Sequence, residues 1–499
     1  MRFVLQNHML ILSSDSKAQR IHSFSSWETP LQDSSYQFSA ELQQLLSGKK
    51  LLPDELPFPH EFLHEHYLHG YLSYHYGVTK EKYAHICHRC GNTNPHRFHT
   101  YNCARCQQMC TYCRHCIQMG RVSQCTPLLT WTGSQVTFSP YAYEINWTNT
   151  LSPPQQEAST KLIEAIYQEQ SLLIWAVCGA GKTEMLFQAI HAAICNGQRV
   201  CIATPRTDVV LELLPRFRRV FPKVPIAALY GGAPPQPSLA PVVLSTTHQL
   251  LRYEQSFDVM IVDEVDAFPY SMDPMLQHAV IQASKNQHAI MYVTATPSAK
   301  WQQEVRQKKR AAVIIPARYH RQPLPVPRFQ WCGTYKKQIE KGFLPRQMMS
   351  WIHRYLTEKP IMLFVPNVAL VEQVVILLQQ LHPSITGVHA EDIDRKEKVQ
   401  AFRGGKIPLL VTTTILERGV TIEAVQVAVL GAEQDIFTES ALVQIAGRAG
   451  RSIREPTGEV VFFHHGKTTA MLLAKHHIEK MNKQAKERGM VDHAEMPSM

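Results

Sequence analysis

Several absences narrow the field first. No apolar run approaches the ~20 residues that cross a bilayer; the longest, such as Leu172–Cys178, stop far short of it. The opening residues Met1-Arg2-Phe3-Val4-Leu5 meet Gln6, Asn7 and His8 before an apolar segment can develop, so no secretory leader is read there. Both absences point to a cytoplasmic protein with at most peripheral contact to a membrane. No repeat of fixed short period is present. A disulfide framework is also missing: eight of the 12 cysteines fall between Cys87 and Cys125, and the other four are scattered. In a reducing compartment such a cluster reads as metal ligands. Acidic residues are in deficit, 41 against 51 Lys plus Arg, leaving a formal charge of +10. That balance suits a polyanionic partner, nucleic acid or an anionic membrane surface. With 44% hydrophobic and 18% charged residues, the chain is not disordered as a whole, and 499 residues allow about three domains.

Residues 1–80 carry the weakest pattern. They mix Ser-rich and Gln-rich stretches, and Pro53, Pro57 and Pro59 break any long helix. Nine histidines lie from His60 to His99, and they read as a solvated, aromatic-rich surface in preference to a further metal cluster. The cysteine-rich module occupies 81–130. From about Leu151 onward, short β-branched or apolar runs alternate with helical segments: Ser171–Val177, Arg199–Ala203, Val242–Leu244, Val259–Val262 and Ile290–Val293. A second series follows at Ile361–Val365, Leu409–Val411, Val425–Leu430 and Val460–Phe463. Such alternation predicts two parallel-sheet α/β domains in tandem, 131–317 and 331–470, with ligands at the carboxyl ends of the strands. The Pro-, Arg- and His-rich stretch 318–330 reads as a linker, and 471–499 as a polar, basic tail, the chain after His465 having a Lys-rich helical pattern that ends in polar residues.

The run Leu172–Val177 leads into Cys178-Gly179-Ala180-Gly181-Lys182-Thr183, and a helix is expected from Glu184. Strand, glycine loop and helix in that order are the context that makes a phosphate loop. Gly179 and Gly181 let backbone N–H groups line a phosphate, Lys182 would reach the terminal phosphates, and Thr183 would hold Mg²⁺. Ala176 stands where the eight-residue pattern usually has glycine. Ala176, Val177, Cys178, Gly179, Ala180, Gly181, Lys182 and Thr183 are thus the expected nucleotide cradle. A second buried run, Val259–Val262, ends in Asp263 and Glu264. Carboxylates closing a buried strand are costly unless they meet a cation or a proton. Asp263 would hold Mg²⁺ through water, and Glu264 would act as general base toward the attacking water.

These residues resemble a superfamily 2 helicase or translocase. Leu151-Ser152-Pro153-Pro154-Gln155 resembles the glutamine motif that reads adenine. Thr204-Pro205-Arg206 and Ser245-Thr246-Thr247-His248 resemble strand-contacting motifs, and Thr294-Ala295-Thr296 the coupling motif. Phe364-Val365-Pro366, and Thr412-Thr413-Thr414 through Gly419-Val420-Thr421, resemble motifs of the second domain, with Thr421 where many members have Asp. Gln444-Ile445-Ala446-Gly447-Arg448-Ala449-Gly450-Arg451 matches the arginine-finger motif. The resemblance implies two RecA-like domains of the P-loop NTPase class and ATP with Mg²⁺ as ligands. It adds Gln155, Gly419 and Gln444 to the nucleotide site. With Lys182, Asp263 and Glu264 it makes Arg448 and Arg451 catalytic, charge on the γ-phosphate favouring domain closure.

Finer features are similar to the late competence protein ComFA family of transformable Gram-positive bacteria. They are Gly-Ala-Gly-Lys-Thr-Glu-Met at 179–185, Thr-Thr-His-Gln-Leu-Leu at 246–251, Asp-Glu-Val-Asp-Ala-Phe-Pro-Tyr at 263–270 and Ile-Leu-Glu-Arg-Gly-Val-Thr at 415–421. The resemblance implies an ATP-driven single-stranded DNA translocase that powers uptake of transforming DNA. It would work at the inner face of the cytoplasmic membrane with a channel and cytoplasmic competence proteins; self-association stays open. It also assigns Cys87, Cys90, Cys113 and Cys116 to one structural zinc. Cys103, Cys106, Cys110 and Cys125 remain, and eight thiolates permit a second zinc. Arg89, Arg97, Arg105 and Arg114, set among the cysteines, are candidate phosphate contacts. Two alternatives carry similar motifs: a replication-restart or RNA helicase, and an ATP-switched zinc scaffold for DNA-processing partners.

Overall fold

The structure is a computed structural model that describes all residues except 82–83, 238, 419–421 and 493–499. It divides into two compact units. One comprises 1–149, 160–172 and 187–292, the other 150–159, 173–186 and 293–499.

The first unit begins with a hairpin, Phe3–Gln6 against Met9–Leu12. Leu128–Trp131 then pairs antiparallel with both Lys50–Leu51 and Leu72–His75. Phe3, Leu10, Leu63, Tyr67, Tyr74 and Trp131 share one core, so residues 1–80 form a packed layer. For two of the nine histidines the expected solvated surface fails. His64 and His66 lie in the helix His60–Leu68 and are buried. His64 Nε2 accepts from the Leu12 N–H at 3.0 Å, and His66 Nε2 accepts from the Ser39 N–H at 3.0 Å. Burial pushes the His64 imidazole down to about 4, so it packs as a neutral ring that satisfies backbone donors.

Beside this layer run four parallel strands in the order Ile226–Leu229, Val242–Thr246, Val200–Thr204, Phe257–Asp263. Val200–Thr204 and Val242–Thr246 are buried at every position, as a sheet covered on both faces requires. The amino-terminal layer is joined to them by ions. Glu55 takes the Arg252 Nε at 2.6 Å and lies 3.5 Å from the Arg89 Nη1, Lys50 meets Glu254 at 2.8 Å, and His115 meets Asp273 at 3.3 Å. Arg89 itself is fully buried and donates to the carbonyls of Met119, Cys116 and Gly120 at 2.8, 3.1 and 2.6 Å. Its guanidinium therefore closes the cysteine module from inside and does not face a phosphate. Arg105 is likewise engaged, by Asp54 at 2.8 Å, while Arg97 and Arg114 stay exposed.

In the second unit, Leu173–Ala176 pairs in parallel with Ala312–Ile315. A six-stranded parallel sheet follows in the order Arg328–Trp331, Val460–His464, Gln426–Leu430, Ile361–Phe364, Leu409–Thr412, Thr386–Val388. Its core gathers Ile361, Leu363, Val371, Leu409, Ala428 and Phe463. The fold class is the one expected, two tandem parallel-sheet domains behind a cysteine-rich module. One stretch differs in role: Arg328–Trp331, which overlaps the end of the expected linker, is an edge strand. Thr469–Glu487, overlapping the tail, is a helix as its Lys-rich pattern suggests, and it packs through buried Met471, Ala474, Ile478 and Met481.

Arg89 yields a stability prediction. Arg89→Met leaves three carbonyls unsatisfied inside the module and removes one cation from Glu55. It should lower unfolding stability by about 3 kcal/mol, read as a drop in Tm by calorimetry. An unchanged Tm would mean that Arg89 is not a structural clasp.

Candidate nucleotide site and metal centres

The strand Ser171–Ala176 ends at the loop, and the helix Lys182–Cys195 starts at the expected lysine, with Thr183 in its first turn. Gly179 and Gly181 have φ of +82° and +74°, conformations that a side chain resists. At Gly181 a Cβ would also collide with the Gln155 amide nitrogen. Gln155, buried in the helix Pro153–Tyr167, donates to the Ala180 carbonyl at 2.8 Å and accepts from the Ser152 N–H at 2.9 Å. The glutamine thereby braces the loop. A helix start, whose first N–H groups have no partner within the helix itself, a lysine at the first position and room kept by glycine fit a polyphosphate.

In the same unit, the turn after the helix Glu439–Ala446 comes up against this loop. Cys178 Sγ donates to the Gln444 Oε1 at 3.0 Å, and a Cβ on Gly447 would lie 2.5 Å from Cys178 Cβ. Gln444 Nε2 has no partner among the described residues. Arg448 is buried and donates through Nε to the Glu417 carbonyl at 2.9 Å, while Arg451 is half-buried. Gly419 lies outside the described residues, as does Thr421.

Arg318, inside the stretch read as a linker, is the residue that sequence reasoning missed. Its guanidinium donates to the carbonyls of Ala449 at 2.8 Å, Gly447 at 3.5 Å and Gly450. His320 Nε2 lies 3.1 Å from the same Gly450 carbonyl, and the Tyr319 N–H donates to the Gly179 carbonyl at 3.0 Å. Residues 318–320 thus strap the phosphate loop to the turn that carries Arg448 and Arg451. Burial, with Arg451 close by, pulls the Arg318 guanidinium down to about 10, so it stays charged at neutral pH. A further link runs through Thr296, whose hydroxyl is 2.8 Å from the Ser440 hydroxyl, while the Trp175 indole N–H donates to the Ala295 carbonyl at 3.1 Å. In the sequence Arg318 is one of two arginines between Pro316 and Pro323, and no spacing marks it.

Asp263 and Glu264 belong to the first unit. Asp263 ends its strand, and its Oδ1 accepts from the Glu264 N–H at 2.9 Å. Glu264 has φ of +57°, a left-handed conformation uncommon for a side-chain-bearing residue and frequent at working sites.

The cysteines form two separate tetrads, Cys87, Cys90, Cys113, Cys116 and Cys103, Cys106, Cys110, Cys125, each with its sulfurs within 4.8 Å of one another and all eight buried. In the first, Cys87 and Cys116 are 3.8 Å apart and Cys90 and Cys113 are 3.7 Å apart. A tetrahedron with Zn–S bonds of ~2.3 Å has edges of ~3.8 Å, so the thiols present suit zinc.

With this geometry in place, known proteins can be compared. The profile described as the competence protein ComFA N-terminal domain matches residues 32–130. That of the type III restriction enzyme res subunit matches 148–299, and that of the helicase conserved C-terminal domain 346–453. The chain is 49% identical over 449 residues to competence protein ComFA of Bacillus subtilis, covering 90% of this chain and 96% of that protein. It is 38% identical over 411 residues to competence protein ComFA of Streptococcus pneumoniae, covering 82% and 93%. The chain belongs to the ComFA family. Among solved structures, the DEAD-box helicase Mss116 bound to ssRNA and UDP-BeF matches with a TM-score of 0.50 at 16% identity, over 63% of this chain and 70% of that one. That likeness concerns the fold. The protein is a competence protein with superfamily 2 helicase domains, whose P-loop fold implies ATP and Mg²⁺ as ligands. No helix among the described residues is long and apolar enough to cross a membrane.

The strap is testable. Arg318→Met should release the turn bearing Arg448 and Arg451 and lower steady-state ATP hydrolysis roughly 10- to 100-fold, the scale of a small misplacement. Zinc content should be unaffected. Unaltered turnover would leave Arg318 with no positioning role.

Proposed function

We propose that the protein is an ATP-hydrolysing motor that moves along single-stranded DNA and powers uptake of transforming DNA during competence. It acts at the inner face of the cytoplasmic membrane with a channel and cytoplasmic competence proteins. The observation that carries this reading is the convergence, within one unit, of the phosphate loop with the Gln444–Arg451 turn, held by Cys178–Gln444 and by Arg318. An arginine turn kept beside a phosphate cradle has the parts needed to sense and stabilise charge on a γ-phosphate.

In this reading Lys182 and the loop N–H groups bind the phosphates, Gln155 and Gln444 border the site, and Thr183 and Asp263 hold Mg²⁺, which neutralises phosphate charge when bound. Glu264 takes the proton of the attacking water. Arg448 and Arg451 stabilise the transferring phosphoryl group. DNA is held mainly by its backbone, through main-chain groups, hydroxyls and Arg206, so binding is insensitive to sequence and weakens with salt. The tetrad of Cys87, Cys90, Cys113 and Cys116 holds a structural zinc that shapes the module docked on the first parallel strands.

Three variants test the reading. Lys182→Ala should abolish productive ATP binding. Glu264→Gln should still bind ATP but lose roughly 10²- to 10⁴-fold in hydrolysis, the usual weight of a general base. Near-normal steady-state turnover in Glu264→Gln would overturn its role. Arg451→Ala should lose DNA-stimulated ATP turnover and movement while nucleotide-free affinity for single-stranded DNA holds. If that affinity collapses and DNA-independent hydrolysis persists, Arg451 is a DNA contact and the motor mechanism is wrong. Comparing hydrolysis with single-stranded DNA, duplex DNA and RNA identifies the track; strongest stimulation by RNA would refute the DNA assignment.

A further inference from the structure

The second cysteine tetrad repeats the construction of the first. Cys87-His88-Arg89-Cys90-Gly91 closes on itself when the Gly91 N–H donates to the Cys87 carbonyl at 2.9 Å, with Gly91 at φ +68°. Cys103-Ala104-Arg105-Cys106-Gln107 closes in the same way, the Gln107 N–H donating to the Cys103 carbonyl at 2.7 Å. Here the fifth position is glutamine, yet it adopts φ of +55°. A left-handed conformation at a residue with a side chain is disfavoured and persists when its surroundings hold it. Two cysteines fixed to one centre would supply that hold.

The other two ligands come from different segments. Cys110 lies within the strand Gln108–Cys113, and Cys125 follows in a loop. Cys103 and Cys125 are 3.8 Å apart, the tetrahedral edge expected around zinc. Cys103, Cys106, Cys110 and Cys125 are between 0 and 5% exposed, which leaves no open position for a substrate. Donors surround the sulfurs: the Tyr101 hydroxyl is 3.3 Å from Cys103 Sγ and the Ser123 hydroxyl 3.5 Å from Cys125 Sγ. Arg121 donates to that Tyr101 hydroxyl at 3.1 Å. Hydroxyl donors with a cation behind them suit thiolates, whose tetrad around one Zn²⁺ carries two net negative charges.

We propose that Cys103, Cys106, Cys110 and Cys125 form a second structural zinc site, loaded independently of the first, so that the chain carries two zinc ions. The strand Gln108–Cys113 would then be fixed at Cys110 by one metal and at Cys113 by the other. The hairpin that it forms with Phe98–Cys103 would be clamped along its length. The segment around Arg20, whose guanidinium donates to the Met109 carbonyl at 2.7 Å, would be held beside the second site. This proposal stands apart from the motor reading, since metal content does not depend on hydrolysis.

The test is metal content of the purified full chain by native mass spectrometry and by elemental analysis. The unaltered protein should carry two zinc ions. Cys103→Ser with Cys125→Ser should carry one, and so should Cys87→Ser with Cys113→Ser. Cobalt(II) loaded into the Cys103/Cys125 variant should give about half the thiolate-to-cobalt absorption of the unaltered chain. One zinc in the unaltered protein, retained in full by the Cys103/Cys125 variant, would overturn the proposal. So would iron as the second metal, or denaturing thiol titration showing those four cysteines as disulfides. Should the variants fail to fold, the count on the unaltered chain and its thiol titration still decide the matter.

Discussion

Helix ends carry polar backbone groups that the helix itself cannot satisfy, and the candidate site depends on how two such ends are treated. The helix Lys182–Cys195 begins directly at the glycine loop, so the positive end of its dipole faces that loop. The turn after Glu439–Ala446 exposes carbonyls instead, and Arg318 takes three of them. A positive end left open for phosphate thus lies beside a negative end closed by a fixed cation. Without Arg318, the carbonyls at Gly447, Ala449 and Gly450 would oppose an anion held at the phosphate loop. Neutralising them also fixes the backbone from which Arg448 and Arg451 project. Binding and positioning here rest on one buried guanidinium.

The amino-terminal module solves a different problem with similar means. Residues 84–125 contain few large apolar side chains, and their interior is largely sulfur. Metal–thiolate bonds at these sulfurs would take the place of a hydrophobic core in so small a unit. Between the first tetrad and the parallel strands stands Glu55, which faces Arg89 on one side and Arg252 on the other. A carboxylate between two arginines couples the two layers more rigidly than exposed pairs would, because Arg89 is fully buried and has no water to fall back on.

Central strands were legible and edges were not. Val200–Thr204 and Val242–Thr246 are apolar or hydroxyl-bearing throughout, which is what burial on both faces demands. Thr386–Val388 and Arg328–Trp331 are short or mixed, because an edge strand needs burial only in part, and Ile226–Leu229, though apolar and buried at three of four positions, has two alanines in place of β-branched residues. The site residues sat in spacings that chemistry dictates: glycines before a lysine, carboxylates ending a strand, paired cysteines two residues apart. Arg318 followed no such rule. Its partners are main-chain carbonyls more than a hundred residues away, and carbonyls have no sequence signature. His64 and His66 misled for the reverse reason. Their composition suggested solvent, whereas two backbone N–H groups required acceptors inside the core.

The same reasoning revises what the basic composition means. Among the described residues, Arg89, Arg199, Arg318, Arg418 and Arg448 are buried. Their partners are internal: carbonyls for Arg89, Arg318 and Arg448, the Ala240 carbonyl and the Phe257 ring for Arg199, and for Arg418 the Ser440 hydroxyl at 3.4 Å and the Glu417 carboxylate at 3.5 Å. These five cations are therefore engaged within the fold and are not spread over its surface. A protein that gripped DNA by bulk charge would keep those cations outside, where each phosphate contact releases a counterion. Here arginine is used chiefly as a planar, multiply donating brace for backbone turns, a task that lysine's single ammonium performs poorly. Under the proposed motor reading, attraction for a nucleic-acid track would accordingly rest on the surface cations, while the buried ones hold the turns behind them in shape.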